Sequence, residues 1–144
     1  MFAALLGFLL VAAFSAPMAT AAGSAPGAPV LMQTPGSTPN FAVFTASLDH
    51  SVVQNTVPLL TKYVLEILKG DGTVGASVDI GKPTPVAGEI QYTGVIALTA
   101  NLPPANYTVR VAAEGPGGRT LSAVSAPFAV VVPAPRAPGA PATK

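Results

Sequence analysis

Cysteine and tryptophan are absent from this 144-residue chain, which carries a single histidine, His50, and only 9% charged residues. Without cysteine there is no disulfide framework, no thiolate metal site and no cysteine nucleophile. The same absence removes the residue to which a bacterial lipoprotein leader would attach its lipid. A lone histidine deprives most metal and acid–base schemes of their usual ligand or proton carrier. The expectation is therefore a protein that is not an enzyme, with no catalytic residue, no metal and no cofactor. The seven basic and six acidic side chains stand singly from Asp49 onward, and such a pattern creates no field to draw nucleic acid or an anionic membrane surface.

Long apolar runs are scarce as well, with one exception at the start of the chain. Residues 2–14 are apolar but for Gly7, and Ser15, Pro17 and Thr20 then interrupt the run. A span needs about 20 apolar residues as a helix, so this run fits the hydrophobic region of a secretory signal better. Ala19 and Ala21 supply the small side chains at −3 and −1 that a signal peptidase accepts, which places the cut after Ala21. No lysine or arginine precedes Lys62, whereas a signal usually opens on positive charge, and retention as an uncleaved anchor is the alternative. The expected product is secreted, extracellular or periplasmic, and it meets a membrane only through the leader before cleavage.

Composition divides the remainder. Residues 22–40 are rich in Ala, Pro, Gly, Ser and Thr, a linker in which only Val30, Leu31 and Met32 suit a short first strand. Residues 133–144 repeat the pattern, and proline at every second or third position denies that tail the hydrogen bonds of a ladder. Residues 41–132 between them have the size of one domain. There Ile90, Tyr92, Ile96, Leu98, Ala100 and Leu102 share one parity, as do Tyr107, Val109, Val111 and Ala113, which predicts strands with one face inward. Gly94 within the first of these is read as a bulge. Short β-rich runs at 41–48 and 128–132 complete the set.

Residues 56–70 fit two periods. Thr56 as N-cap, Pro58 in the first turn, apolar spacing at Leu60, Tyr63, Val64, Ile67 and Leu68, and Gly70 beyond the end describe an amphipathic helix. Yet Tyr63, Leu65 and Ile67 also alternate with Lys62, Val64 and Glu66, and the Asp71-Gly72 pair that follows suits a hairpin turn.

The order of Leu102, Pro104, Tyr107, then Val109-x-Val111-x-Ala113, then Gly117, Gly118, Ser122 and Ser125 resembles a fibronectin type III domain. The likeness covers residues 41–132, and Tyr63 with Leu65 resembles the Tyr-x-Val of that family's strand C, which favours strand over helix at 56–70. Phe44 stands where the family usually buries a tryptophan, and the step from Leu102 to Tyr107 is one residue shorter than in the commonest motif. The resemblance implies an all-β fold, a seven-stranded antiparallel Greek-key β-sandwich of the immunoglobulin-like class, with Leu102, Pro104 and Tyr107 as a tyrosine corner whose hydroxyl bonds back to the preceding turn. It implies a spacer or recognition module and no activity.

Other motifs carry less. The G-x-G-x-x-G at 70–75 lacks room for the helix a dinucleotide needs before Pro83 and Pro85, and reads as a hairpin loop. Gly81-Lys82-Pro83 is a turn. Asp49-His50 could form half of a hydrolase site, but adjacent Asp and His at a strand end more often bond to local backbone. Asn106-Tyr107-Thr108 is a formal glycosylation sequon whose central tyrosine is expected inside. Sandwich domains present recognition residues on end loops, which makes Glu114, Gly117, Gly118 and Arg119 the candidate recognition loop. The expected function is an exported, non-catalytic module for protein binding, adhesion or spacing, monomeric, with a protein or cell-surface partner. The alternatives are a structural subunit assembling by strand addition, for which residues 74–80 would serve, and a small hydrolase using Asp49 and His50.

Overall fold

The computed structural model describes residues 23–33 and 37–131. The expected leader and tail, at 1–21 and 133–144, lie outside the described residues. In chain order the strands are β1 (Val30–Met32), β2 (Phe41–Thr45), β3 (Val53–Gln54), β4 (Val57–Pro58), β5 (Lys62–Leu68) and β6 (Val74–Gly81). They continue with β7 (Glu89–Tyr92), the short helix α1 (Val95–Thr99), β8 (Ala105–Gly115), β9 (Gly118–Leu121) and β10 (Phe128–Val130). The fold is all-β.

All pairings are antiparallel. One sheet has the order β1-β2-β7, a second runs β10-β8-β5-β6 with β9 also on β8, and β3 and β4 pair only with each other. The alternation expected along β8 is realised: Tyr107, Val109, Val111 and Ala113 are all buried. They meet Leu65, Ile67 and Tyr63 of β5, Ala42 and Phe44 of β2, and Ile90 of β7 in two contiguous apolar clusters. Each large side chain taken from water there contributes about 1.5–3 kcal/mol, so the inward faces of the two sheets hold the molecule together.

The two-period segment is a strand where it matters. Lys62–Leu68 is bonded along both edges, to β6 and to β8, and the following hairpin closes through Gly72 N–H on the Lys69 carbonyl at 2.9 Å, with Gly72 at φ +80°. Thr56 caps no helix. It sits at the tip of the β3–β4 hairpin with φ +67°, next to Asn55 at φ 50°, the two left-handed positions of a type I′ turn.

Residues 90–102 depart from the expected single strand. β7 ends at Tyr92, and α1 follows with Gly94 just before it at φ −94° and ψ 15°. Gly94 is therefore no bulge. A Cβ there would stand 2.2 Å from the Tyr92 hydroxyl oxygen, so the aromatic side chain folded over the backbone demands glycine. Beyond it the inward positions are Val95, Leu98, Thr99 and Leu102, at helical spacing, while Ile96 is exposed. The Thr99 hydroxyl donates back to the Val95 and Ile96 carbonyls, each at 3.0 Å. Alternate apolar residues had masked a 3–4 pattern running through the same stretch.

The Tyr107 hydroxyl reaches back to the turn before β8 and donates to the Pro103 carbonyl at 2.8 Å. A less familiar device follows β9. From Ser122 to Phe128 every third residue is buried, and Val111, Val109 and Tyr107 of β8 meet Ser122, Ser125 and Phe128 in turn. Three residues of the segment thus match two of the strand. The Ser122 and Ser125 amides donate to the Val111 and Val109 carbonyls at 2.8 Å. The two serine hydroxyls accept in return from the Val111 and Val109 amides at 2.9 Å. Side-chain oxygens here replace the backbone carbonyls that a regular strand would have offered.

Two substitutions separate these devices. Tyr107→Phe should lower unfolding stability by about 1 kcal/mol, because solvent can reach the exposed Pro103 left behind. Ser125→Ala strands a buried Val109 amide and should cost about 1–3 kcal/mol. Urea unfolding of both variants checks the order, and a Tyr107→Phe midpoint equal to that of the parent would remove the corner as a stabilising element.

Candidate functional site

The β8–β9 hairpin places the expected recognition loop at one end of the five-stranded sheet. Glu114 pairs with Arg119 and Gly115 with Gly118, leaving Pro116 and Gly117 at the tip and Gly118 at φ +122°. Gly117 and Gly118 are exposed. Arg119 is not free: its guanidinium bonds Glu66 Oε1 and, through Nε, Glu114 Oε1 at 3.0 Å. Glu66 also takes Arg110 Nε at 2.6 Å. Lys62 bridges Glu114 at 3.5 Å and Asp79 at 2.8 Å. The result is one continuous chain of opposite charges, Asp79, Lys62, Glu114, Arg119, Glu66, Arg110, across the outward face of β6, β5, β8 and β9.

Glu66 is the member that sequence reasoning missed. It occupies an outward position of β5, yet the two arginine side chains bury it to 5% exposure. Burial alone would raise its pKa, but the hydrogen bonds from Arg119 and Arg110 outweigh that and hold it below the ordinary carboxylate range. No local period could have revealed this, since its partners lie 44 and 53 residues away.

At the hairpin end of β2, a short 3-10 turn over Leu48–Ser51 carries Asp49 and His50. They point to different partners. The Asp49 carboxylate accepts from the Ser24 amide. His50 Nδ1 lies 3.0 Å from the Tyr63 hydroxyl, with the two rings stacked at 5.8 Å. Tyr63 is fully buried, and its oxygen also accepts from the Ser47 amide at 3.0 Å. Burial raises the pKa of the phenol, while burial and then the Lys82 ammonium lower that of the imidazole. Both shifts favour the neutral forms, and the imidazole tautomer sets which of the two groups donates in their shared hydrogen bond. The Ser47 hydroxyl donates to the Ser24 carbonyl at 2.6 Å and accepts from the Asp49 amide at 3.1 Å. Asp49, His50 and Ser47 are neighbours in space without being bonded as base, orienter and nucleophile.

Gly23, Ser24, Ser47, Asp49 and Leu59 share a crevice of about 30 Å³, room for one or two waters. A larger groove of about 340 Å³ lies at the opposite end, lined by Leu68, Asn106, Thr108, Val124 and Pro127. Asn106 of the sequon lines it, but Tyr107 beside it is buried, as the sequence suggested. Among the described residues no group of three or more His, Asp or Glu side chains is placed to hold a metal ion, and no helix is long and apolar enough to cross a membrane.

No family model matches the sequence, and no curated protein does. Among solved structures it is similar to dimeric latent PorU from Porphyromonas gingivalis, with 20% identity and a TM-score of 0.42 over 72% of this chain. The chain spans 9% of the length of that protein. A likeness of that order assigns neither a family nor an activity.

The charge chain makes a pH prediction. Glu66 has a folded-state pKa below its unfolded value, so the stability it adds is fully present above the unfolded pKa and is lost as pH falls from there through the folded one. Glu66→Gln should cost about 1–2 kcal/mol at pH 7, and the gap to the parent should narrow on acidification below about pH 4. Thermal unfolding of both proteins from pH 3 to 7 reads this; a gap of constant size would show that the carboxylate charge is not what Arg110 and Arg119 recognise.

Proposed function

We propose that this chain is an exported, non-catalytic module of the fibronectin type III kind that binds or spaces other proteins. The observation that carries the reading is the pairing of sheet order β1-β2-β7 with β10-β8-β5-β6, closed by the Tyr107–Pro103 hydrogen bond. A seven-strand reading is supported by the sheet orders if β9 and β10 are counted as two halves of one interrupted strand and β3–β4 as an insertion between the second and third. Export rests on the apolar run at 2–14 and the Ala19–Ala21 cleavage pattern. In this reading the β8–β9 tip is the recognition element. The ion chain holds its stem rigid through Glu114 and Arg119, so that Pro116 and Gly117 meet a partner with little ordering entropy left to lose.

Strand addition is the second reading, and one feature favours it. β6 is eight residues long and forms the outer edge of its sheet, carrying Asp79 as its one charge. Long edges with little charge are templates for another strand.

One experiment addresses both. A photo-crosslinking residue is placed at Gly117 or, separately, at Ser77 of β6, in the full chain produced in its own cells. Recognition by the hairpin predicts an adduct with another protein at position 117 and none at 77. An adduct between copies of the chain at 77, with mass rising with concentration in sedimentation, would transfer the function to the sheet edge.

A further inference from the structure

Alternation along β8 decides more than the core. Tyr107 points inward and is buried, so its neighbours Asn106 and Thr108 stand together on the outward face of the strand. They are the first and third residues of Asn106-Tyr107-Thr108, and none of the other asparagines, Asn40, Asn55 and Asn101, begins an Asn-x-Ser/Thr sequence. The buried central tyrosine is no obstacle to the motif, because it is what turns the two recognised side chains outward. Asn106 is exposed. Among the described residues neither its carboxamide nor the Thr108 hydroxyl makes a hydrogen bond.

The surroundings of Asn106 are kept clear. β5 ends at Leu68, opposite Thr108, so no strand flanks Asn106 on that side. The hairpin beyond β5 brings Gly70 and Gly72 instead, where even an added Cβ would meet nothing within 4 Å. On the other side the residue directly opposite is Ala129 of β10, exposed and no larger than a methyl group. The space left is the groove of about 340 Å³, inside the range of roughly 300–1,000 Å³ that small-molecule clefts occupy. Val124 and Pro127 give it an apolar wall, on which the C–H face of a sugar ring can pack while its hydroxyls stay in water.

We propose that Asn106 is an acceptor for an N-linked glycan and that the groove is the space its first sugar occupies. The proposal rests on the export reading, because lipid-linked oligosaccharide donors are used outside the cytoplasm. The Asn106 carboxamide nitrogen attacks the anomeric carbon of such a donor. The N–C bond forms as the C–O bond to the diphosphate breaks, the amide gives one proton to a base of the transferase, and the lipid diphosphate leaves; nothing is oxidised or reduced. The Thr108 hydroxyl completes the sequence that the transferase reads, and serine can replace it there. The glycan covers the end of the five-stranded sheet away from the β8–β9 tip, so the recognition loop stays free.

The test is the mass of the full chain recovered from its own cells, taken separately from outside and inside the cytoplasm. The exported chain should be heavier than its polypeptide by one glycan, carried on the peptide that contains residue 106. Asn106→Gln and Thr108→Ala should each return it to the polypeptide mass, and Thr108→Ser should keep the addition. An exported chain at the bare polypeptide mass overturns the proposal, as does an addition that survives Asn106→Gln. A chain found only in the cytoplasm and unmodified would fail the export reading instead. The same chain is then sent out on a foreign leader, and its mass decides the site by the same two outcomes.

Discussion

Strand β8 is bonded along both of its edges and buried on one of its faces, and the rest of the molecule follows from having to satisfy it. Its inward side chains, Tyr107, Val109, Val111 and Ala113, drive burial. Burial in turn obliges every backbone amide and carbonyl behind them to find a partner, since an unpaired group in that setting costs more than a hydrogen bond returns. On one edge β5 answers in regular register from Lys62 to Leu68. On the other edge the partner changes character twice, from β9 to the serine segment to β10. The serine hydroxyls let the chain advance three residues for every two of β8 without leaving an amide unmet. That mismatch carries the chain out to Phe128, whose ring lies 6.2 Å from that of Tyr107.

The outward face of the same sheet is where a chain this poor in charge spends it. Six of its thirteen charged side chains join in one alternating line, three of each sign, so the network is neutral as a whole. The exposed links, such as Lys62 with Asp79, contribute little singly. The buried one differs, because the arginines that cover Glu66 also supply the charge that balances its desolvated carboxylate. The line therefore fixes the relative positions of four strands and of the β8–β9 hairpin more than it adds to overall stability.

Much of this frame was legible in the residues themselves. The inward face of β8, the Leu102–Tyr107 corner and the Asp71-Gly72 turn all rest on interactions within a few residues or on strict alternation, which a linear pattern records. The strand at 62–68 needed more, because its apolar positions satisfy two periods and only its neighbours β6 and β8 decide between them. Residues 95–99 went the other way for the same reason: parity and helical spacing overlap there, and the side chain of Tyr92 over Gly94 decides. Glu66 and Tyr63 were opaque because their partners are distant in sequence. An outward glutamate and an inward tyrosine look ordinary until Arg119 and Ser47 are brought to them. The β3–β4 ribbon left no linear sign, because Asn55 and Thr56 are poor advertisements for a type I′ turn, which usually displays glycine.

These allocations leave the two ends of the molecule unlike each other. Polar groups at the root of the ribbon are all turned inward: Ser47, Asp49 and His50 bond to Ser24, to Tyr63 and to one another's backbone, so nothing charged is directed along β3 and β4. Thr120 and Glu114 are likewise engaged, with Gly23 and with Arg119. Beside the exposed tip Gln54-Asn55-Thr56, that end offers a neighbour chiefly aliphatic groups, and exposed aliphatics gain by leaving water whatever the neighbour's sequence. At the far end, the groove beside Leu68 and Val124 is lined also by Asn106, Thr108 and Lys69. The two ends thus differ in chemistry: exposed aliphatic groups dominate the ribbon at one, and polar side chains join the lining of the groove at the other.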